Sequence, residues 1–529
     1  METKEINFEQ DIEAYLLEQG GYVKGNQATY DKTKAIDMPV LISFIEKTQP
    51  KVWQRYKNVY GEQSERQLYT IFQQNVADNG LIHVLRYGVK DRGMELRFAY
   101  FKPASNLNDD LVAKYKANIL TETRQFSYST QNHNTIDMVL SLNGIPVVAI
   151  ELKNQLTGQS VGNSKRQFMY DRDPKEFIFH FNNRILVYFG VDLYEVAMTT
   201  ELKGENTYFL PFNQGSNGAG SVGDGGNPAN PDGYATSYLW ERVLSREMLL
   251  SLLQRYISKE VKTTVSLING KQVKKTTTRL IFPRYHQLDV VEKLVEDTRS
   301  RKEGKNYLIQ HSAGSGKSNS IAWLTYRLAS LHDDEDREMF QSVFVITDRR
   351  VLNRQLQETI LGFEHLEGQI ATITDKDNSS VLKDAINDKR RIIITTLHRF
   401  PLIYKELDNH KGKKFAIIVD EAHSSQSGKS AEKLKAALAD TDEALREMAE
   451  IEGKTEEELK DDMDVMTDTL LTQGQHKNEF FYAFTATPKP KTLQTFGEIV
   501  GQGEDGLPKY SAFHHYSMRQ AIDEEFIMD

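Results

Sequence analysis

Residues 136–155 read IDMVLSLNGIPVVAIELKNQ, two apolar runs joined at Asn143-Gly144 with Asp137, Glu151 and Lys153 set among them. An Asn-Gly pair between apolar runs is the strongest short signal for a β-hairpin. It predicts two half-buried strands and raises the question of where three charges go. Side chains alternate faces along a strand, so a one-residue change of register moves a whole row to the other face. A two-residue turn would pair Leu142 with Ile145 and Asp137 with Ile150, mixing apolar and charged positions on each face. An odd loop, with Gly144 left-handed in a bulge, pairs Asp137 with Glu151 instead. Ile136, Met138, Leu140 and Leu142 then share one face with Val148, Ile150 and Leu152, while Asp137, Glu151 and Lys153 share the other. Amphipathicity therefore predicts an odd loop and a gathered set of charges.

Two carboxylates brought together beside a lysine are costly unless a cation lies between them. Magnesium, a hard ion that prefers oxygen ligands, fits such a pair. There the metal polarises a scissile phosphate and activates water, and the ammonium group stabilises charge or positions the nucleophile. An exposed, salt-bridged strand face is the plainer reading of the same three charges. The Asp137…Glu151-x-Lys153 arrangement resembles the PD-(D/E)xK nuclease core. Downstream, SKRQFMYDRDP sets Gln167 and Tyr170 on a predicted helix. The pair resembles the Gln-x-x-x-Tyr element of the RecB-like branch of these nucleases, one residue short, and at i, i+3 it still shares a helix face. Upstream, Glu9 and Glu13 lie at i, i+4 on a predicted N-terminal helix, where such nucleases can contribute another acidic group. A solvated helix face is the preferred reading of both.

The 529 residues suffice for about two to four domains. Without cysteine, neither a disulfide framework nor a cysteine-based zinc site is possible. The start has no basic region followed by an apolar core, and no later run approaches a membrane span, so no membrane association and a cytoplasmic location are expected. A formal net charge of -9 gives no global attraction to nucleic acid, so DNA binding must rest on local basic clusters or on partner subunits. The acidic run DTDEALREMAEIEGKTEEELKDDMD from Asp440 reads as exposed helix or solvated insertion.

Three zones follow. Residues 1–202 mix amphipathic helix (8–19 and 62–76) with strands such as RILVYFGVD and YEVAMTT. Residues 203–278 hold NQGSNGAGSVGDGGNPANPDGY, a predicted long loop or partly disordered connector, and the helical spacer YLWERVLSREMLLSLLQRYI. Over 279–529, the apolar runs NYLIQ, SVFVIT, RIIITT, FAIIVD and FFYAFTAT alternate with helices, which predicts a mostly parallel sheet covered on both faces.

The stretch NYLIQHSAGSGKSNSIAWLTYRLA is strand, glycine-containing turn and helix, the context of a P-loop. Gly314 and Gly316, flanking Ser315, let backbone N–H groups turn toward phosphate at a helix N-terminus. Lys317 supplies a point charge and Ser318 a magnesium ligand. His311 stands where the full Walker pattern has glycine. FAIIVDEAHSS ends a strand in Asp420 and Glu421, one carboxylate to hold magnesium and the other to orient the attacking water.

In order with RYHQLDVVEKL, ITDRRVLNRQL and FTATPKP, these stretches resemble the P-loop, DEAH, Q, Ia and III motifs of superfamily 2 helicases. The resemblance implies that Gln287 reads adenine and that Thr485 and Thr487 couple the nucleotide state to DNA. IIITTLHRF resembles a DNA-contacting motif that follows Ia, although a buried strand with a polar end explains it equally. Only about forty residues follow TATP, too few for a second motor lobe. ATP hydrolysis and translocation are therefore expected to need residues absent from this chain.

Taken together, GGY, IDMVLSLNGIPVVAIELKNQ, FLPFNQG, YLWERVL, RYHQLDVV, HSAGSGKS and SMRQAIDEEFIMD resemble the restriction subunit of type I restriction enzymes. The implied fold class is α/β, a PD-(D/E)xK nuclease domain followed by one RecA-like parallel-sheet P-loop lobe. The implied activity is ATP-dependent translocation coupled to magnesium-dependent cleavage of double-stranded DNA away from the recognition site. Methyltransferase and specificity subunits would find and read the target. Asp137, Glu151, Lys153, Gln167 and Tyr170 are the implied nuclease residues, with Asp137 and Glu151 on magnesium. Gln287, Gly314, Ser315, Gly316, Lys317, Ser318 and Asp420 would hold ATP and its magnesium, and Glu421 its attacking water. Two other classes stay open: an independent helicase-nuclease of DNA defence or repair, and a non-catalytic DNA-binding assembly module.

Overall fold

The computed structural model describes residues 2–154, 158–268, 271–347, 352–362, 369–373, 379–396, 412–420, 477–503 and 506–526, with single positions at 377, 403 and 407. Glu421, the acidic run from Asp440, the basic pair Arg349-Arg350 and the end of IIITTLHRF lie outside the described residues. Two compact units divide the chain: Met1–Gly218 with Gly223–His286, and Ala219–Val222 with Gln287–Asp529.

In the first unit seven strands lie side by side in chain order: β1 (Val23–Lys24), β2 (Leu120–Ser127), β3 (Thr135–Leu142), β4 (Ile145–Leu152), β5 (Val187–Val191), β6 (Val196–Thr199) and β7 (Leu210–Pro211). β3 is antiparallel to both β2 and β4, and β4 is parallel to β5. The helices α1 (Glu2–Glu18) and α2 (Val161–Arg166) belong to this unit. The expected half-buried hairpin is instead the covered centre of the sheet. Every residue of β4 is buried, and in β3 only Thr135 and Asp137 are partly exposed.

The expected odd loop is absent. Asn143 and Gly144 form a two-residue turn with φ of 51° and 82°, which sets Leu142 opposite Ile145. Positive φ at both positions matches the twist of the flanking strands. The odd residue sits further along: the register shifts between Leu140 and Ser141, leaving Val147 as the extra residue of β4. Beyond this bulge Leu140 faces Val148 and Met138 faces Ile150, so the next position sets Asp137 against Glu151. The apolar rows thus identify the final register, while the bulge rather than the turn supplies the odd residue.

The reason is local packing. Asn143 is wholly buried; its side chain accepts from the Ile119 N–H at 2.7 Å and donates to the Phe98 carbonyl at 2.8 Å and to Asn118 Oδ1 at 3.0 Å. At Gly144 a Cβ would meet the Asp37 carbonyl oxygen at 2.2 Å. A turn held on every side has no room to widen. Asn143→Ala loses three buried hydrogen bonds and puts in left-handed backbone a residue that tolerates it less well than asparagine. It is expected to lower the unfolding free energy of the first unit by about 2–4 kcal/mol, read from urea denaturation; a loss under about 1 kcal/mol contradicts this.

In the second unit seven strands are all parallel to their neighbours: β8 (Asn306–His311), β9 (Ser342–Thr347), β10 (Ile370–Thr372), β11 (Ile392–Thr396), β12 (Phe415–Asp420), β13 (Glu479–Thr485) and β14 (His514–Tyr516). Their spatial order is β10-β11-β9-β12-β13-β8-β14. The five expected strands are present because uninterrupted apolar runs suit a sheet covered on both faces. Leu308, Phe344, Ile393, Ile417 and Phe481 form part of one core cluster with Leu382, Ile386 and Phe496. β10 and β14 escape the sequence reading, one for its brevity and the other because HHY carries no apolar run. Helix α3 (Tyr285–Arg299) precedes β8, and α4 (Lys317–Ala329) follows it.

The stretch read as connector and helical spacer contains more than those. After helical turns over residues 238–256, Ser258–Ile268 and Lys271–Ile281 pair antiparallel along eleven residues as a two-stranded ribbon.

Candidate active site

Neighbouring strands β3 and β4 carry Asp137 and Glu151, and Lys153 follows directly after β4. Asp137 Oδ2 accepts from the Leu152 N–H at 2.8 Å and lies 3.7 Å from Lys153 Nζ, which also donates to the Leu152 carbonyl at 2.9 Å. The side chains of Asp137, Lys153 and Glu151 are 14%, 11% and 0% exposed, so a solvated salt-bridged face does not describe them.

Glu151 Oε1 accepts from Arg172 Nε at 2.8 Å and Nη2 at 2.6 Å, while Oε2 is buried with no hydrogen-bond partner. Burial, then the charge of Asp137, pushes the Glu151 carboxyl well above the ordinary carboxylate range against the pull of Arg172. An orphaned carboxylate oxygen beside a second carboxylate is what a hard cation relieves. Magnesium fits this donor set, since it keeps several waters and takes one or two protein carboxylates. Among the described residues no group of three His, Cys, Asp or Glu could hold a metal ion.

Opposite Glu151 in the β4–β5 register lies Gly190, where a Cβ would stand 2.4 Å from Ser164 Oγ. The missing side chain lets α2 lie close against the site. α2 continues as a wide π-helical turn over Gln167–Asp171. That turn departs from the regular α-helix on which a shared face at i, i+3 was expected. Gln167 and Tyr170 nevertheless line one open cleft with Lys153, of about 390 Å³, whose other walls are Gln159, Asn163, Arg166 and Asp171.

Three residues near Asp137 and Glu151 carry no sequence signal. Arg172, 4% exposed, also donates to the Thr135 carbonyl at 2.7 Å and lies over the Tyr128 ring. Gln125, flanked by the pairs Arg124–Met138 and Phe126–Ile136, has φ 46° and bridges Glu9 Oε1 at 2.9 Å and Asp137 Oδ1 at 3.5 Å. Arg124 donates to Glu9 Oε2 at 3.1 Å and Glu13 Oε2 at 3.0 Å. The solvated-face reading of Glu9 and Glu13 is therefore corrected: both are buried, and Glu9 is linked through Gln125 to the candidate site.

Two residues before Arg124 on β2, Glu122 is fully buried with no hydrogen-bond partner for either oxygen. Burial, then the charge of Glu13, pushes its carboxyl up to about 8. The folded state thus holds a proton that the unfolded chain releases between pH 4.5 and about 8. Stability falls as pH rises through that window, and the cost is complete above it. Glu122→Gln is expected to raise unfolding free energy on the order of a few kcal/mol at about pH 8.5 and to change it little at about pH 4. Equal shifts at both pH values contradict this.

In the second unit β8 leads into a glycine-containing turn, where Gly314 and Gly316 have φ of 75° and 77°. Lys317 opens α4, and its Nζ donates to the His311 and Ser312 carbonyls at 3.1 Å each. Gln287 Nε2 donates to the Ser315 and Gly316 carbonyls at 3.1 and 3.0 Å, and a Cβ on Gly316 would meet it at 2.4 Å. His311 lies within β8 without positive φ, so its backbone needs no glycine. Its buried ring meets His514 Nδ1 at 2.9 Å, and His514 Nε2 meets Asp289 Oδ2 at 3.0 Å. Asp420 ends β12, and β13 separates that strand from β8. Thr485 ends β13, where its Oγ accepts from the Thr487 N–H at 3.2 Å. Ser318 is partly exposed on the first turn of α4.

Two family models match: one described as type I restriction enzyme R protein N terminus over residues 43–207, and one described as SWI2/SNF2 ATPase over residues 286–529. The C-terminal part of the MpnIIP type I restriction enzyme endonuclease subunit of Mycoplasma pneumoniae is 32% identical over 152 residues, covering 26% of this chain and 68% of that protein. The HindI endonuclease subunit of Haemophilus influenzae is 25% identical over 305 residues, 55% of this chain and 26% of that one. The MjaVIIIP endonuclease subunit of Methanocaldococcus jannaschii is 22% identical over 342 residues, 59% of this chain and 29% of that one. The matched region thus spans under a third of either of these last two relatives. Among solved structures, an HsdR subunit fragment of a type I restriction enzyme from Vibrio vulnificus matches at 16% identity with a TM-score of 0.28, covering 77% of this chain and 56% of that one.

Proposed function

The chain belongs to the family of type I restriction enzyme endonuclease subunits, and from that membership we propose that it couples two chemistries on double-stranded DNA. Residues 1–202 cut with magnesium at Asp137, Glu151 and Lys153, and residues 279–529 bind ATP as one lobe of a two-lobed DNA motor, with 203–278 joining them. Methyltransferase and specificity subunits deliver the complex to its target in the cytoplasm; among the described residues no helix is long and apolar enough to cross a membrane.

The observation that carries this reading is the orphaned Glu151 Oε2 beside Asp137. Asp137 and Glu151 would hold magnesium, which when bound polarises a phosphate oxygen and lowers the pKa of water. Arg172 ties down Glu151 Oε1, leaving Oε2 as the oxygen with capacity to spare. Lys153 Nζ, steered by Asp137 and the Leu152 carbonyl, stabilises charge that develops on the phosphate. Gln167 and Tyr170 orient the DNA strand along the cleft they share with Lys153.

At the other site, Lys317 leaves two backbone carbonyls to meet phosphate, and Gln287 leaves the loop for adenine. Gly314, Ser315 and Gly316 cradle phosphate, Ser318 and Asp420 hold its magnesium, Glu421 orients water, and Thr485 and Thr487 pass the nucleotide state toward DNA. Reconstitution tests the whole: with these residues joined to a second motor lobe, and with methyltransferase and specificity subunits, ATP and magnesium, plasmid bearing an unmodified target is cut away from it. Equal ATP-dependent cutting of any DNA end without those subunits would instead favour the independent helicase-nuclease.

A further inference from the structure

We propose that the ribbon over residues 258–281 is a sequence-independent contact for the backbone of duplex DNA, an inference that rests on reading the chain as a DNA-acting subunit. In a chain with a net charge of -9, its sequence SKEVKTTVSLINGKQVKKTTTRLI carries six lysines and arginines against a single acid, Glu260. Glu260 is engaged inside the ribbon by Arg279 and by Lys262 at 3.6 Å. The basic excess is local, which is what a protein without global attraction to nucleic acid requires.

Both faces carry it. Register places Lys262 opposite Thr277 and Thr264 opposite Lys275 on one face, and Lys259, Lys274 and the Thr263–Thr276 pair on the other. Ammonium groups and hydroxyls are the donors that proteins aim at phosphate oxygens. Lys259, Lys262, Lys274 and Lys275 are exposed, as are Thr276 and Thr277.

Two-stranded ribbons are marginal in water, and this one leaves Val261 56% exposed while extending its pairing over eleven residues per strand. Lysines on open edges also prevent edge-to-edge aggregation, yet that role does not call for such length or for hydroxyl rows. Eleven residues extend roughly 35 Å, about one turn of duplex, and the major groove admits a two-stranded ribbon.

The test uses the full chain carrying Asp137→Ala, without magnesium or ATP, so that cleavage does not enter. Binding to a duplex of about 30 base pairs is followed by fluorescence anisotropy across roughly 50–200 mM salt. Joint Lys259→Ala, Lys262→Ala, Lys274→Ala and Lys275→Ala substitution is expected to weaken binding at least about tenfold at the lowest salt. The slope of log affinity against log salt should become shallower by about 2–4, equally for unrelated sequences. Arginine at the same four positions retains binding and slope. Unchanged affinity and slope in the alanine variant would overturn the proposal, leaving the lysines as edge protection. Equal loss in the arginine variant would overturn it too, as would intact DNA binding with lost capture of the methyltransferase and specificity subunits. Failure of the reconstituted enzyme to restrict DNA would reject the restriction reading and leave the ribbon result standing.

Discussion

Asp137→Ala is expected to lower DNA cleavage by the assembled enzyme about a thousandfold or more, because a lost metal ligand removes several kcal/mol of transition-state stabilisation. The fold should survive. Asp137 contributes an acceptor to the Leu152 N–H and a charge 3.7 Å from Lys153, but its carboxylate also raises the Glu151 carboxyl. Its removal therefore relieves repulsion on a buried group. Asp137→Asn keeps the acceptor for Leu152 while removing the charge, and the same loss of cleavage is expected from it. Single-turnover nicking of supercoiled plasmid, with circular dichroism to follow the fold, reads both variants. Cleavage retained by the asparagine variant would show that the charge is not needed.

The second large effect is at the nucleotide. Lys317→Ala is expected to weaken ATP binding about a hundredfold, the worth of one or two charge-assisted hydrogen bonds to phosphate. Lys317 is already placed for this, opening α4 directly after the two left-handed glycines. In the ligand-free chain its ammonium group donates to the His311 and Ser312 carbonyls at the mouth of the turn. Arginine is a poor replacement, since its planar fork does not fit a site shaped for a point charge. A fluorescent ATP analogue measures the affinity, and an unchanged value in the alanine variant contradicts the assignment.

Asp137 and Glu151 could be brought together from sequence because long apolar rows on β3 and β4 leave one register that separates oil from charge. Where the odd residue sits could not be read. It depends on Asn143 meeting Phe98, Asn118 and Ile119, and on Gly144 meeting Asp37, contacts that no local pattern records. The same limit hid Arg172 and Gln125, which act through single side chains and belong to no spacing. Glu9 and Glu13 resemble a solvated helix face until Arg124, more than a hundred residues away, is set against them. In the second unit the central strands were legible as unbroken apolar runs, whereas HHY on β14 is held by pairing with β8 rather than by its own character. The ribbon did carry a signal in Asn269-Gly270, but Thr263 breaks the row of Val261, Val265 and Leu267, and lysines and threonines fill most of the returning strand, so no unbroken apolar run announced it.

A metal shared by Asp137 and Glu151 is tested most directly by binding. Manganese(II), a paramagnetic stand-in for magnesium, is titrated into the nucleotide-free full chain and the bound fraction followed by electron paramagnetic resonance. One bound ion per wild-type chain is expected, lost in Asp137→Ala and in Glu151→Gln and kept in Lys153→Ala. Identical binding by all four proteins would contradict the metal site.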